Sequence, residues 1–122
     1  MSKNTEKEAL IAKIVDAIQD KKGKNIVVIN LSSLKDAPCS YFVICEGTSS
    51  IHVNSIEYSI KDDVNKRTGV KPYAVDGLKN SEWVAMDYGH VIVHVFQPQV
   101  RSFYKIEQLW EDAEIIEVPD ID

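Results

Sequence analysis

Apolar residues recur along this chain with two different periods. Leu10, Ile11, Ile14, Val15 and Ile18 keep the three-to-four spacing of a helix with one apolar stripe. Ahead of them, Thr5-Glu6-Lys7-Glu8 has the form of a capping box, in which Thr5 and Glu8 satisfy each other's backbone donors. Lys21, Lys22 and Gly23 read as the C-terminal cap. Residues 26–31 are a short β-branched run, the pattern of a strand buried on both faces. A polar connection over 32–38 leads to a second apolar strand at 41–45, which ends at Gly47. Thr48, Ser49 and Ser50 then offer N-cap hydroxyls to a second helix. Its apolar positions are Val53, Ile56, Ile60 and Val64, and Lys66, Arg67 and Gly69 close it.

Past Gly69 the strand period returns. Residues 72–75 predict a brief strand that ends in an Asp76-Gly77 turn. Residues 83–88 and 91–96 predict two strands of a hairpin, with Gly89 supplying the positive φ of a tight turn. Pro98 starts a third helix, with Val100, Phe103, Ile106, Leu109 and Trp110 facing inward. From Glu114 the chain is acidic and contains Pro119. Residues 1–113 are therefore expected as one domain and 114–122 as a mobile or loosely docked acidic tail. Helices before, between and after consecutive strands imply an α/β, or mixed α+β, sandwich with a single mixed sheet and about three helices.

Composition narrows the partners. The 122 residues can bury a core without disulfides or metal, and 44% hydrophobic with 27% charged content excludes disorder. Against 14 Lys and Arg stand 19 Asp and Glu, giving a net charge of -5. A surface that grips phosphates needs the opposite excess in order to release counterions, so no primary nucleic-acid contact is expected. A basic protein partner fits better, because opposite charge steers encounter. The start of the chain is charged rather than apolar, and no apolar run reaches the roughly 20 residues that span a bilayer. Cys39 and Cys45 would lie about 20 Å apart along an extended strand, too far for a disulfide. Reduced thiols in a cytoplasmic protein are the expectation.

Few constellations could carry chemistry. His90 and His94 are four apart, but at a hairpin and on a strand that spacing spans about 13 Å, beyond shared zinc ligation. A hydrogen-bonded structural role is expected for His94, and helix-end hydrogen bonding for His52. Gly47-Thr48-Ser49-Ser50 lies between a strand and a helix N-terminus, as an anion site would. A strand-Gly-Ser-helix opening also suits a nucleotidyltransferase. Such an enzyme further needs paired carboxylates on a strand to hold metal ions. Asp62-Asp63 is helical, while Asp76 and Asp87 stand alone at turns, so no enzyme activity, metal or cofactor is expected. A nucleotide-binding or nucleotidyltransferase-like enzyme stays as the alternative. The segment 83–90 interleaves Trp83, Met86 and Tyr88 with few charges, the composition of a protein interface. Trp83, Ala85 and Asp87 share one strand face; Val84, Met86 and Tyr88 share the other. Whether one face is exposed or helices bury both stays open. One version of the recognition reading exposes Met86 and Tyr88, with Trp83 as the comparison on the opposite face.

Three ordered blocks carry a resemblance. They are Tyr41-Phe42-Val43-Ile44-Cys45-Glu46-Gly47-Thr48-Ser49-Ser50-Ile51-His52-Val53, then Trp83-Val84-Ala85-Met86-Asp87-Tyr88-Gly89-His90 running on to Phe96, then Arg101-Ser102-Phe103-Tyr104-Lys105-Ile106-Glu107-Gln108-Leu109-Trp110. Together they resemble the ribosomal silencing factor, or iojap-like, family over nearly the whole chain to Trp110. The resemblance implies a mixed α/β fold related to nucleotidyltransferases but without their catalytic carboxylates. It also implies binding to the large ribosomal subunit through ribosomal protein L-fourteen (uL-fourteen), beside the surface where the small subunit docks. Occupying that place blocks subunit joining and represses translation when nutrients are scarce. Isolated members are often homodimers, which makes a homodimer an expectation here. The implied partner-binding residues are Trp83, Val84, Ala85, Met86, Asp87 and Tyr88. Ser40, His90 and Gln99 depart from the family pattern, each standing where an acid is usual.

Overall fold

Stripe residues of the first two helices and alternating residues of the strands meet in one layered arrangement. The computed structural model describes residues 3–121, with side chains from Glu6 to Ile121. In chain order the elements are α1 (Lys3–Asp20), β1 (Lys24–Asn30), β2 (Tyr41–Glu46), α2 (Ser50–Thr68), β3 (Ala74–Asp76), β4 (Trp83–Asp87), β5 (Val91–Phe96), α3 (Pro98–Tyr104), a 3-10 helix (Ile106–Trp110) and β6 (Glu114–Val118). Among the described residues the strands make one six-stranded sheet in the order β3-β4-β5-β2-β1-β6. The pairing of β2 with β5 is parallel, with Phe42 opposite Ile92 and Ile44 opposite His94; the other pairings are antiparallel. This is the mixed α/β sheet with three α-helices that the patterning predicts.

Two cores result, one per sheet face. Ile14 and Ile18 of α1 and Val53, Ile56, Ile60 and Val64 of α2 are fully buried against Ile26, Val43, Cys45, Val84, Met86, Val93 and Val95. On the opposite face Ile29, Leu31, Phe42, Ile44 and Phe96 form a smaller core. Leu34 and Ala37 of the β1–β2 loop, with Val100, Ile106 and Trp110, only partly cover it. As expected, Ser49 caps α2, its Oγ accepting from the His52 amide at 3.1 Å, and left-handed Gly69 closes the helix. Cys39 and Cys45 are both free thiols, and burial pushes them up to about 11 and about 12 respectively.

Four local expectations are corrected. Helix α1 begins at Lys3, so Thr5 lies inside it rather than at its N-cap. The Thr5–Glu8 side-chain exchange itself lies outside the described residues. At the other end of α1 the left-handed residue is Lys22, with φ 59°, and Gly23 serves a different purpose. A Cβ at Gly23 would lie 2.4 Å from the Ile18 side chain, so glycine here permits a close approach. The third helix is not continuous. Lys105 adopts the left-handed conformation (φ 49°, ψ 46°) and the chain continues as a 3-10 helix with a three-residue period. Val100, Ile106 and Trp110 still pack inward, but α3 buries Arg101 and leaves Phe103 78% exposed, and the changed phase beyond Lys105 leaves Leu109 73% exposed. The acidic tail, finally, is an ordered edge strand over its first five residues. β6 lies antiparallel to β1, with Ile116 opposite Val28 and Glu114 opposite Asn30. Backbone groups on the free edge of β1 need partners, and β6 supplies them even though most of its side chains stay exposed.

One charged residue joins the smaller layer to the sheet. Arg101 is 8% exposed, and its Nη1 donates to the Asn25 carbonyl at 2.6 Å and to Glu46 Oε2 at 3.1 Å. Its Nη2 donates to Glu107 Oε2 at 2.9 Å. A single guanidinium thus ties α3 to β1, β2 and the 3-10 helix. Removing one partner of a buried ion pair costs about 3–5 kcal/mol, because the remaining charges are left uncompensated. Arg101→Ala is expected to lower unfolding free energy by that amount. Arg101→Lys should recover only a small part, since one ammonium cannot span these acceptors. Denaturant midpoints of the three proteins provide the check; an alanine variant within about 1 kcal/mol of wild type would show that water replaces the network.

Candidate functional site

Strand β4 turns its two faces into different environments. Val84 and Met86 are fully buried and Tyr88, just beyond the strand, is 6% exposed, all three in the core under α1 and α2. Trp83, Ala85 and Asp87 point to the thinly covered face and are partly exposed. The question the sequence leaves open is therefore answered: one face is core and the other reaches solvent. Met86 and Tyr88 are not exposed anchors. Burial, followed by the nearby Glu57 charge, pushes the Tyr88 phenol up to about 12.

The outward face is built pairwise with β5. Trp83 lies opposite Phe96, Ala85 opposite His94 and Asp87 opposite Ile92. The Trp83 ring stacks on Phe96 with centroids 4.9 Å apart, and its Nε1 donates to His94 Nδ1 at 3.0 Å. That bond requires Nδ1 to be unprotonated, so the imidazole is neutral with its hydrogen on Nε2. His94 is 8% exposed and meets the Phe42 ring edge-on at 4.7 Å. Burial pushes its pKa down to about 4. The structural role expected for His94 is the one observed. At the end of the face, Asp87 Oδ1 accepts the Gly89 amide at 2.7 Å, and Gly89 holds φ at 89°.

Sequence reasoning misses the outer extension of this face. Trp83 also touches Tyr104, whose ring is 5.0 Å away, and Tyr104 meets Phe103 at 5.0 Å. Their adjacency is a usable signal. Neighbouring residues are about 100° apart on a helix, so Phe103 and Tyr104 cannot both sit in one narrow apolar stripe.

The other candidate sites are occupied by internal bonds. At the start of α2 the Thr48 amide donates to His52 Nδ1 at 2.9 Å, and His52 Nε2 donates to the Lys21 carbonyl at 2.7 Å. His52 therefore joins the two helix ends, as expected, and takes up donors an anion would use. Asp62 pairs with Lys66 at 2.9 Å, while Arg67 bridges Asp63 at 3.2 Å and Asp16 at 3.3 Å. Among the described residues no group of three or more His, Cys, Asp or Glu side chains could hold a metal ion. No helix in them is long and apolar enough to cross a membrane.

Comparison with known proteins places this geometry. Residues 4–122 match the family model described as ribosomal silencing factor during starvation. The chain belongs to the ribosomal silencing factor family. The role that membership carries is silencing at the ribosome. The chain is 32% identical to the ribosomal silencing factor RsfS of Halalkalibacterium halodurans, over 93% of this chain and 96% of that protein. A crystal structure of a Chromobacterium violaceum protein superimposes with a TM-score of 0.80 at 32% identity, covering 85% of each chain. A mouse protein named mitochondrial assembly of ribosomal large subunit protein 1 is 28% identical over 80% of this chain and 43% of its own length. The match through residue 122 takes in β6, consistent with its place in the sheet.

Two measurements follow from the split strand. Met86→Ala is expected to cost about 2–5 kcal/mol of folding through the cavity it leaves. Asp87→Asn keeps an acceptor for the Gly89 amide and should change stability by less than about 0.5 kcal/mol. Equal losses in chemical denaturation would mean that both faces are core. The second measurement concerns pH. Unfolded, His94 gains a proton near its ordinary value of 6.5; folded, it resists until about 4. Stability contributed by neutral His94 is therefore complete above about 6.5 and is lost as pH falls toward 4, by up to roughly 3 kcal/mol. A wild-type slope over that window no steeper than that of His94→Gln would refute the assignment.

Proposed function

We propose that this protein binds the large ribosomal subunit through ribosomal protein L-fourteen and so blocks joining of the small subunit. Translation is thereby repressed when nutrients are limiting. The mechanism is steric: a folded module occupies the docking place, and no bond is made or broken. The observation that carries the reading is the partly exposed face of Trp83, Ala85 and Asp87, set within the segment 83–88 that the family resemblance assigns to the partner. Within that segment the two strand faces divide the work. Trp83, Ala85 and Asp87 make the contact, while Val84, Met86 and Tyr88 hold the strand from beneath.

The physics of the face supports such a partner. An aromatic anchor with a carboxylate about 13 Å further along the same strand face suits an apolar pocket rimmed by cations, and the net charge of -5 suits a basic ribosomal protein. The name of the mouse relative, which refers to assembly of the ribosomal large subunit, supports the choice of subunit. Action in the cytoplasm agrees with bacterial relatives named for the ribosome. A homodimer off the ribosome is part of the same reading and rests on the family resemblance. A nucleotide-handling enzyme has weaker support, because the Gly47-Thr48-Ser49 turn already spends the Thr48 amide on His52.

The test is sedimentation with purified subunits. The protein should travel with isolated large subunits, and small subunits added afterwards should form fewer intact ribosomes. Trp83→Ala should lose about 2 kcal/mol or more of large-subunit binding, the usual cost of truncating a central aromatic anchor. Unchanged subunit joining at saturating protein would sink the proposal.

A further inference from the structure

The aromatic face does not end at the sheet. From fully buried Phe96 a run of rings leads outward: Trp83 at 4.9 Å, then Tyr104 at 5.0 Å, then Phe103 at a further 5.0 Å. Exposure rises along it to 52% at Tyr104 and 78% at Phe103. Helix α3 ends directly after these rings, at Lys105. Its amide donates to the Arg101 carbonyl at 2.9 Å, closing α3 with a left-handed lysine where glycine would be unstrained. Both the unfavourable backbone and the large apolar area left in water oppose the arrangement. It persists because Arg101 on one side and Ile106 and Trp110 on the other are held by the sheet.

We propose that Phe103 and Tyr104 form the outer half of the docking surface and insert into an apolar pocket of the ribosomal protein partner. The assignment rests on the partner-binding reading of the Trp83 face. Charge indicates what rims that pocket. Over residues 97–113 the exposed charged side chains are Lys105 against Glu111 and Asp112, because Arg101 is buried and paired with Glu46 and Glu107. The complementary rim carries Lys or Arg, in keeping with the chain's overall excess of acid. Continuity with Trp83 makes one surface of sheet and helix, with an aromatic centre that binding would desolvate.

The experiment measures large-subunit affinity and denaturant midpoint for the full chain carrying Phe103→Ala, Tyr104→Ala, Trp83→Ala or Ile51→Ala. Ile51 is 81% exposed on α2, in the opposite layer, and serves as the control. Phe103→Ala and Tyr104→Ala are each expected to weaken binding about ten-fold or more with unchanged midpoints, while Ile51→Ala binds as wild type. If Trp83→Ala weakens binding but both helix variants stay within about two-fold of wild type, the outer half is overturned and the inner face stands. An equal loss in Ile51→Ala would overturn it as well, since the effect would not be local. Wild-type protein that does not bind large subunits would overturn both readings together.

Discussion

Six strands spaced about 4.8 Å apart make a sheet roughly 24 Å wide, and each of its faces carries apolar side chains that water must not reach. Helices α1 and α2 have 18 and 19 residues, so each is about 27 Å long and about 10 Å across. Side by side they cover one face almost completely. Opposite them, a seven-residue helix and a five-residue 3-10 helix are too short to do the same. Unequal cover is the constraint behind the two cores, the partial exposure of Trp83, and the different fates of alternate residues along β4.

The thin layer needs an anchor that does not depend on area. Arg101 provides it by joining a backbone carbonyl of β1, a carboxylate of β2 and a carboxylate of the 3-10 helix. A hydrophobic residue there would leave the Asn25 carbonyl, Glu46 and Glu107 without this donor, whereas a planar five-donor group reaches several elements at once. With α3 held at that point, the helix can end early at Lys105 and still present Tyr104 to Trp83 at a set distance.

Trp83 is held in the same spirit. Its ring is stacked on Phe96 and its indole nitrogen is bonded to a neutral, buried histidine. A side chain already fixed in one rotamer loses little further freedom on being covered, which suits the contact role proposed for Trp83. His94 holds the Trp83 indole through that bond, and burial, which pushes its pKa down to about 4, keeps the imidazole neutral and the bond intact near neutral pH.

Local signals were enough for much of this. Periodicity located α1, α2, the hairpin and both faces of β1, because an apolar stripe or alternation has to be read out near its own residues. Ser49 and Gly69 as the caps of α2, and Gly89 at the hairpin turn, follow from local backbone chemistry. The three sequence blocks that carry the family resemblance likewise need no coordinates. Tertiary structure decided the remainder, since it depends on residues far apart in the chain. β6 could not be told from a tail, because its partner is β1, nearly ninety residues earlier, and its own side chains stay exposed. The end of α3 at Lys105 has no local breaker, and only packing against Arg101 and the sheet explains it. Alternation in 83–88 separated Trp83, Ala85 and Asp87 from Val84, Met86 and Tyr88, but it could not say which set faces water. That depends on which face the two long helices cover, and a strand carries no record of the length of its neighbours.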